Sequence, residues 1–370
     1  MKVGIIAGTP SFGGISRTAM EAASGLTRLG FDVNVIFLVK SHSIPVHEEL
    51  YSAVSHTYLY ESKYLTSTAG EALSRALYLT RSPKESYDLL ITYQLAAARV
   101  AFQVWKEKRC PYVCVHHDPG TYQFTDPLQI LFRHSDYLAK KYESTWLSNA
   151  ALIVTNSKRN RERLKSHTGL ESTVLYPSSS LVGQLSKDGL PCTRDQTFLT
   201  VHRLEEEYEG LYSALVRVVE NVNKMKLLIA GSTVARRTER VTQMFDHLAS
   251  QVTIMRNPSD HDLRQLYCAS RGLLHPDVEN FDLTALEAAS FGCPVLTYKQ
   301  SGVFELFEGK YEQGFFDRTD LDGLLLMAES LQYDQKKAIN MGKKQYEIAS
   351  LFTLERHVNE LAGLIDASLA

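Results

Sequence analysis

Five cysteines in 370 residues are too few and too scattered to staple a fold. Cys110, Cys114, Cys192, Cys268 and Cys293 are odd in number and widely spaced. They match neither a disulfide framework nor a zinc-ligand pattern, and they suit a reducing cytoplasm. Long apolar runs are missing too. None approaches the roughly 18–20 residues that a membrane-spanning helix needs. The opening Met1–Ala7 is too short for the apolar core of a signal peptide and runs straight into Gly8 and Pro10. Any membrane association is therefore expected to be peripheral. The dinucleotide fingerprint G-x-G-x-x-G is absent, which leaves nicotinamide or flavin binding without support. There is no low-complexity tract and no obvious internal repeat.

What is present describes an ordinary globular chain. Hydrophobic content is 44% and charged content 22%, and 370 residues point to two domains rather than one. The net charge of −2 hides an asymmetry. Residues 1–180 hold 20 Lys+Arg against 15 Asp+Glu, giving +5; the remainder holds 20 against 27, giving −7. A basic first half can face an anionic membrane or an acidic acceptor, and it is equally read as ordinary surface scatter.

Strand and helix patterns alternate along the whole chain. Lys2–Ala7 is a short apolar run, read as a buried parallel strand. A turn follows, then helical periodicity over residues 15–29, a stop at Gly30 and a second strand over residues 31–39. That is one βαβ unit, the building block of a doubly wound sheet. Residues 88–93, 111–116 and 151–157 continue as strands, with a helix over residues 94–108 and one or two more within 122–147. Residues 174–180 close the first half. Residues 181–196 contain Gly183, Gly189 and Pro191 with little periodicity, and read as a connection. Alternation resumes from Thr197, with helices expected over residues 210–222, 235–250 and 260–269, and a last amphipathic helix over residues 354–369. The fold class is α/β, with two doubly wound Rossmann-like halves.

In such sheets ligands collect at the carboxyl ends of strands. Gly13-Gly14 sits between the first strand and helix, where a missing Cβ lets backbone approach a ligand. On turn chemistry alone it is as well explained by structure. His116-His117-Asp118 ends the strand over residues 111–116. It can orient a hydroxyl or bind a sugar; it can also be a hydrogen-bonded histidine and a turn-starting Asp. Lys158, Arg159, Arg161, Arg163 and Lys165 crowd a helix that Ser157 can cap. A phosphate-bearing or lipid partner and a solvated basic face explain them equally. In the second half, the segment from His275 to Leu296 reads as loop, helix, strand. Glu279 lies in the loop and Glu287 in the helix, beside Leu283, Leu286 and Ala288, where a carboxylate is costly to bury without a partner.

The ordered set Gly13-Gly14, His117-Asp118, Arg203, Glu279 and Glu287 resembles the family four retaining glycosyltransferases, also called glycosyltransferase group 1. The resemblance covers most of the chain, with residues 40–87 and 120–150 contributing little. It implies a GT-B architecture, two Rossmann-like domains facing a central cleft. Residues 1–180 would be an acceptor-binding domain, 181–196 an interdomain linker and 197–350 a nucleotide-sugar-binding domain. Residues 351–370 would be a C-terminal helix packing back on the first domain. By the same resemblance His117 faces the transferred sugar, with His116 the competing choice and Asp118 near the acceptor. Glu279 holds sugar hydroxyls and Glu287 the ribose hydroxyls. Gly13, Gly14, Arg203 and the amides near Leu283 and Thr284 meet the donor and its diphosphate.

Two departures stand out. Glu209 or Tyr208 occupies the place of the family's lysine, and Asn280 and Asp282 replace the usual glycines around Phe281. A carboxylate 4 Å from a diphosphate charge is repulsive by about 4 kcal/mol at an effective dielectric of 20. Lys299 is a candidate compensating cation.

The expected activity is transfer of a sugar from a UDP- or GDP-sugar to a cell-surface glycan, glycolipid or related acceptor, with retention, by a hexosyltransferase-like enzyme. No tightly bound cofactor and no metal are expected, and no nucleic acid. The alternatives are a non-catalytic partner subunit that binds glycan or stabilises an active transferase, and, more remotely, a sugar-nucleotide epimerase. The expected location is the cytoplasm, with peripheral contact at the inner face of an anionic membrane through the N-terminal domain.

Overall fold

The protein, seen as a computed structural model, is described for residues 1–8, 14–40, 48–61, 81–119, 134–205, 208–232 and 239–369. It divides into two compact units. The first holds Met1–Pro177 together with Leu354–Ala370, and the second is Ser178–Thr353.

The first unit is built on seven parallel strands: β1 (Lys2–Ala7), β2 (Asp32–Lys40), β3 (His56–Glu61), β4 (Leu89–Tyr93), β5 (Tyr112–His116), β6 (Leu152–Thr155) and β7 (Thr173–Val174). Their order is β3-β2-β1-β4-β5-β6-β7. The inner strands β4 and β5 are buried along their whole length, which is why they read as unbroken apolar runs. Helices α1 (Gly14–Arg28), α2 (Leu95–Lys108), α3 (His134–Leu147) and α4 (Lys158–Thr168) connect them. Ser157 caps α4 by accepting from the Asn160 amide at 3.2 Å.

The second unit repeats the plan with six parallel strands. They are β8 (Thr197–Val201), β9 (Lys226–Gly231), β10 (Val252–Arg256), β11 (Leu273–His275), β12 (Val295–Tyr298) and β13 (Phe315–Phe316). The order is β10-β9-β8-β11-β12-β13. The chain builds outward from β8 to β10, then returns and builds the other way from β11. The switch point therefore falls between β8 and β11, where open α/β sheets take ligands. Four helices matter below: α5 (Glu209–Asn221), α6 (Asp260–Ala269), α7 (Leu283–Ser290) and α8 (Gln335–Ala349).

Residues 181–196 fall within the compact second unit. The reason is Arg194. Its buried guanidinium donates to the carbonyls of Tyr267, Cys268, Ser270 and Phe291 at 2.9, 3.1, 2.8 and 3.1 Å. The helix expected over residues 235–250 is broken, with an α-helical piece at Glu239–Met244 and a 3₁₀ turn at Asp246–Leu248. The tighter turn brings Phe245 and Leu248, three apart, into the same core.

The last helix, α9 (Leu354–Leu369), sends Leu354, Val358, Leu361, Ala362 and Ile365 into the core of the first unit, beside β1 and α1. Each large aliphatic side chain buried there contributes roughly 1.5–3 kcal/mol. Gly25 of α1 makes the approach possible, because a Cβ there would overlap Val358. No described helix is long and apolar enough to cross a membrane.

Candidate active site

In the second unit β8 runs into His202 and Arg203, and its neighbour β11 ends at His275. The end of β9 lies so close that a Cβ on Gly231 would overlap the His202 carbonyl. His202 Nε2 is 2.9 Å from Glu279 Oε1 and 3.8 Å from Asp277 Oδ2. The loop carrying Glu279 is pinned by its backbone. The Glu279 amide donates to Ser301 Oγ at 3.1 Å, Ser301 Oγ donates to the Asp277 carbonyl at 3.0 Å, and the Gly302 amide donates to the Glu279 carbonyl at 3.2 Å. Burial pushes the Glu279 carboxyl up, but the hydrogen bond and charge of His202, with His275 and Arg203, outweigh it and hold the group down at about 2. Glu279 is thus an ionised, partly exposed carboxylate at neutral pH.

Asp282 explains one departure from the family pattern. Its φ of 75° is left-handed, the region where glycine is easiest and Asp and Asn are next. Its Oδ1 accepts from the Ala285 amide at 2.9 Å, capping α7, and lies 3.0 Å from His275 Nδ1. The carboxylate is therefore occupied by a cap and a histidine. Burial opposes charge on His275, but Asp282, then Glu279 and Asp277, raise it to about 9. Leu283 and Thr284 open α7, and first-turn amides have no acceptor inside a helix.

Glu287 lies one turn further on and is 5% exposed. Ser179 Oγ donates to its Oε1 at 2.6 Å and Tyr267 Oη to its Oε2 at 3.1 Å. Neither partner was visible in the sequence pattern, since Ser179 lies 108 positions away.

Arg203 is exposed, with its guanidinium 5.0 Å over the Tyr208 ring and hydrogen-bonded to Tyr208 Oη. Glu209 is paired with Arg240 at 3.1 Å, and Lys299 with Glu312 at 3.1 Å. Both carboxylates that depart from the family pattern, Glu209 and Asp282, therefore sit against positive partners.

In the first unit Gly13 lies outside the described residues. Gly14 is the first residue of α1, and a Cβ there would meet nothing within 4 Å. The two histidines at the end of β5 are separated by their partners. His116 Nε2 is 2.6 Å from Glu143 Oε1, whose other oxygen is 3.2 Å from His167. His117 stacks on Tyr93 with centroids 5.9 Å apart. Its carbonyl accepts from Asn160 Nδ2 at 2.7 Å and its Nδ1 faces Asn156 Nδ2 at 3.4 Å. Its Nε2 is buried with no hydrogen-bond partner among the described residues. Burial, with His116 and His357 adding repulsion, pushes His117 down to about 3, so the ring is neutral. Asn156 and Asn160, four apart at the start of α4, were not singled out by sequence, although polar residues at a strand end are a signal. Asp118 follows in a half-exposed loop.

Residues 12–178 match the family described as Glycosyltransferase Family 4, and residues 185–348 match Glycosyl transferases group 1. Comparison with curated protein sequences gives no match. Among solved structures, Anabaena HepE in complex with UDP and glucose superposes with a TM-score of 0.76 at 16% identity, covering 99% of this chain and 100% of that one. Sucrose-phosphate synthase from Thermosynechococcus elongatus gives 0.79 at 17%, covering 99% and 98%. The catalytic domain of starch synthase IV from Arabidopsis thaliana, bound to ADP and acarbose, gives 0.69 at 13%, covering 100% and 99%. At these identities the structures speak for the fold, and the two family matches carry the membership. The chain belongs to the family four, group 1 glycosyltransferases and has their GT-B fold of two Rossmann-like units.

Proposed function

We propose that this glycosyltransferase is a retaining hexosyltransferase-like enzyme that takes its sugar from a nucleoside diphosphate. Complexes of Anabaena HepE with UDP-glucose and of starch synthase IV with ADP support a donor of that class. The observation that carries the reading is the pair Glu279 and Glu287 on either side of the α7 start, one ionised and partly exposed, the other held by two hydroxyls. Glu279 accepts from hydroxyls of the transferred sugar, and Glu287 from the ribose. The diphosphate meets the Leu283 and Thr284 amides, where the helix dipole favours anions, and Arg203 adds a charge-assisted contact.

The chemistry asks little covalent work of the protein. The bond from the sugar's anomeric carbon to the diphosphate oxygen breaks, and an acceptor oxygen bonds the same carbon from the same face. The departing phosphate takes the acceptor proton. The protein's part is to hold charge where it develops. Neutral His117, with Nε2 unoccupied, is suited to a sugar hydroxyl, either donating or accepting by tautomer. Gly14, open at the head of α1, admits close approach of donor or acceptor. Asp118 is assigned to the acceptor side, with His116, engaged by Glu143, as the weaker candidate. The acceptor is a glycan or glycolipid, and the +5 charge of residues 1–180 supports an acidic acceptor or peripheral contact with an anionic inner membrane face.

A non-catalytic partner subunit was suggested by the extra carboxylates Glu209 and Asp282. Their pairing with Arg240 and His275 supports the catalytic reading instead. Incubation with a panel of UDP-, GDP- and ADP-sugars, followed by analysis of released nucleotide, is the test. Slow hydrolysis of one donor, lost in Glu287→Ala, is expected. No response to any donor would overturn the reading, and an epimerised donor would replace it.

A further inference from the structure

We propose that Asn156 and Asn160 lock His117 in the tautomer that carries its proton on Nε2, so that the ring meets the transferred sugar as a hydrogen-bond donor only. The lock matters to transfer because His117 faces the sugar in the function proposed above, on which this inference rests. The strand register creates the arrangement. β5 and β6 are parallel neighbours, with His116 opposite Thr155. The residues that follow, His117 and Asn156, therefore leave the sheet side by side. Ser157 then caps α4, and Asn160, four positions after Asn156, comes back to the same strand ends. All three side chains are buried.

The hydrogen bonds fit together in one direction. A backbone carbonyl only accepts, so the Asn160 atom 2.7 Å from the His117 carbonyl is the amide nitrogen. That nitrogen also donates to Asn156 at 2.6 Å, and the atom receiving it must be the Asn156 oxygen. Asn156 then turns its NH2 toward His117 Nδ1 at 3.4 Å. Nδ1 accepts, and the single proton of the neutral ring sits on Nε2. Turning Asn156 over would set two NH2 groups against each other at 2.6 Å. Burial keeps the ring neutral, and Tyr93, stacked at 25° between planes, holds its orientation. The resulting Nε2–H is buried and has no acceptor among the described residues. A buried donor without an acceptor is unfavourable, and an oxygen of a bound sugar supplies one. A donor-only ring selects a sugar oxygen with a free lone pair and disfavours an ammonium substituent at that carbon. Asn156 and Asn160 are thus positioning residues, acting on the sugar through His117.

Long-range proton–nitrogen correlation NMR on isotope-labelled full-length protein, without ligand, reads the tautomer. The His117 signal is assigned by its loss in His117→Gln. The wild type is expected to show a protonated Nε2 and a bare Nδ1. Asn156→Asp, nearly the same shape, puts an acceptor at Nδ1, which is then expected to become protonated. Asn156→Leu, which neither donates nor accepts, is expected to give a mixture of tautomers. In donor hydrolysis both variants should lower kcat/KM roughly 3–10-fold, the worth of one hydrogen bond. A protonated Nδ1 in the wild type would overturn the proposal, as would the wild-type pattern retained in Asn156→Asp. So would undiminished kcat/KM in a variant whose Nδ1 has become protonated. The wild-type spectrum needs no sugar, so the tautomer is decided even where no donor is hydrolysed, an outcome that would count against the transferase reading itself.

Discussion

His117 and His275 are both buried, both stand at the carboxyl end of a parallel strand, and both leave Nε2 without a hydrogen-bond partner among the described residues. Yet one is pushed down to about 3 and the other raised to about 9. Burial acts against charge on both. The difference lies at Nδ1, where His117 faces the Asn156 carboxamide and His275 faces the Asp282 carboxylate. One ionised neighbour outweighs desolvation, and its absence leaves desolvation unopposed. The two units therefore present opposite chemistry at strand carboxyl ends: a neutral ring after β5 in the first, and a cationic ring at the end of β11 beside ionised Glu279 in the second.

The largest effect should come from removing the charge on that second side. Glu279→Gln keeps the shape and should lower kcat/KM about 100–1,000-fold. His117→Gln, which exchanges one neutral hydrogen-bonding group for another, should lose markedly less. Equal losses would erase the distinction between the sites.

The next effect exchanges the neighbours. Asn156→Asp should raise His117 from about 3 to above the ordinary imidazole value near 6.5, and Asp282→Asn should bring His275 from about 9 to below it. Histidine proton NMR across pH reads both. Unmoved titrations would show that burial alone sets the charge.

Stability should follow with opposite signs. For His117 the folded value is lowered, so the unfolded chain binds more protons between about pH 3 and 6.5, and stability falls as pH drops through that window. For His275 the folded value is raised. Its contribution is complete below about pH 6.5 and is lost as pH rises through about 9. Each slope is about 1.4 kcal/mol per pH unit at its steepest. Denaturant midpoints should show the acid slope weaken in His117→Gln and the alkaline slope weaken in Asp282→Asn.

The smallest effect belongs to Glu209. Its pair with Arg240 is exposed on both sides, so Glu209→Lys should shift stability by less than about 1 kcal/mol in a thermal melt. A large loss would mean that Glu209 has a structural task beyond that pair.

How far these features could be read in advance depends on where their partners lie. β1, β4 and β5 were legible because strands buried on both faces become unbroken apolar runs. β3 is an edge strand that mixes His56 and Thr57 with Tyr58 and Leu59, and β7 and β13 have two residues each, too short to show a period. Glu279 and Glu287 were legible through their spacing within one short segment. Asp282 was flagged as a bare negative charge near a phosphate site. Its left-handed backbone and its place against His275 depend on how the loop folds, which spacing does not show. Arg194 and Ser179 act on residues 73 to 108 positions away. Only the closed sheet brings such groups together.

The central claim is that the second unit holds the nucleotide-sugar donor through Glu287 and the α7 start. Isothermal titration of a UDP-, GDP- or ADP-sugar into the wild-type protein, His117→Gln and Glu287→Gln tests it directly. The account predicts that one donor binds the wild type, weakens at least about 10-fold in Glu287→Gln, where a charge-assisted hydrogen bond is lost, and changes far less in His117→Gln. Equal binding by wild type and Glu287→Gln, or no donor binding at all, would contradict it.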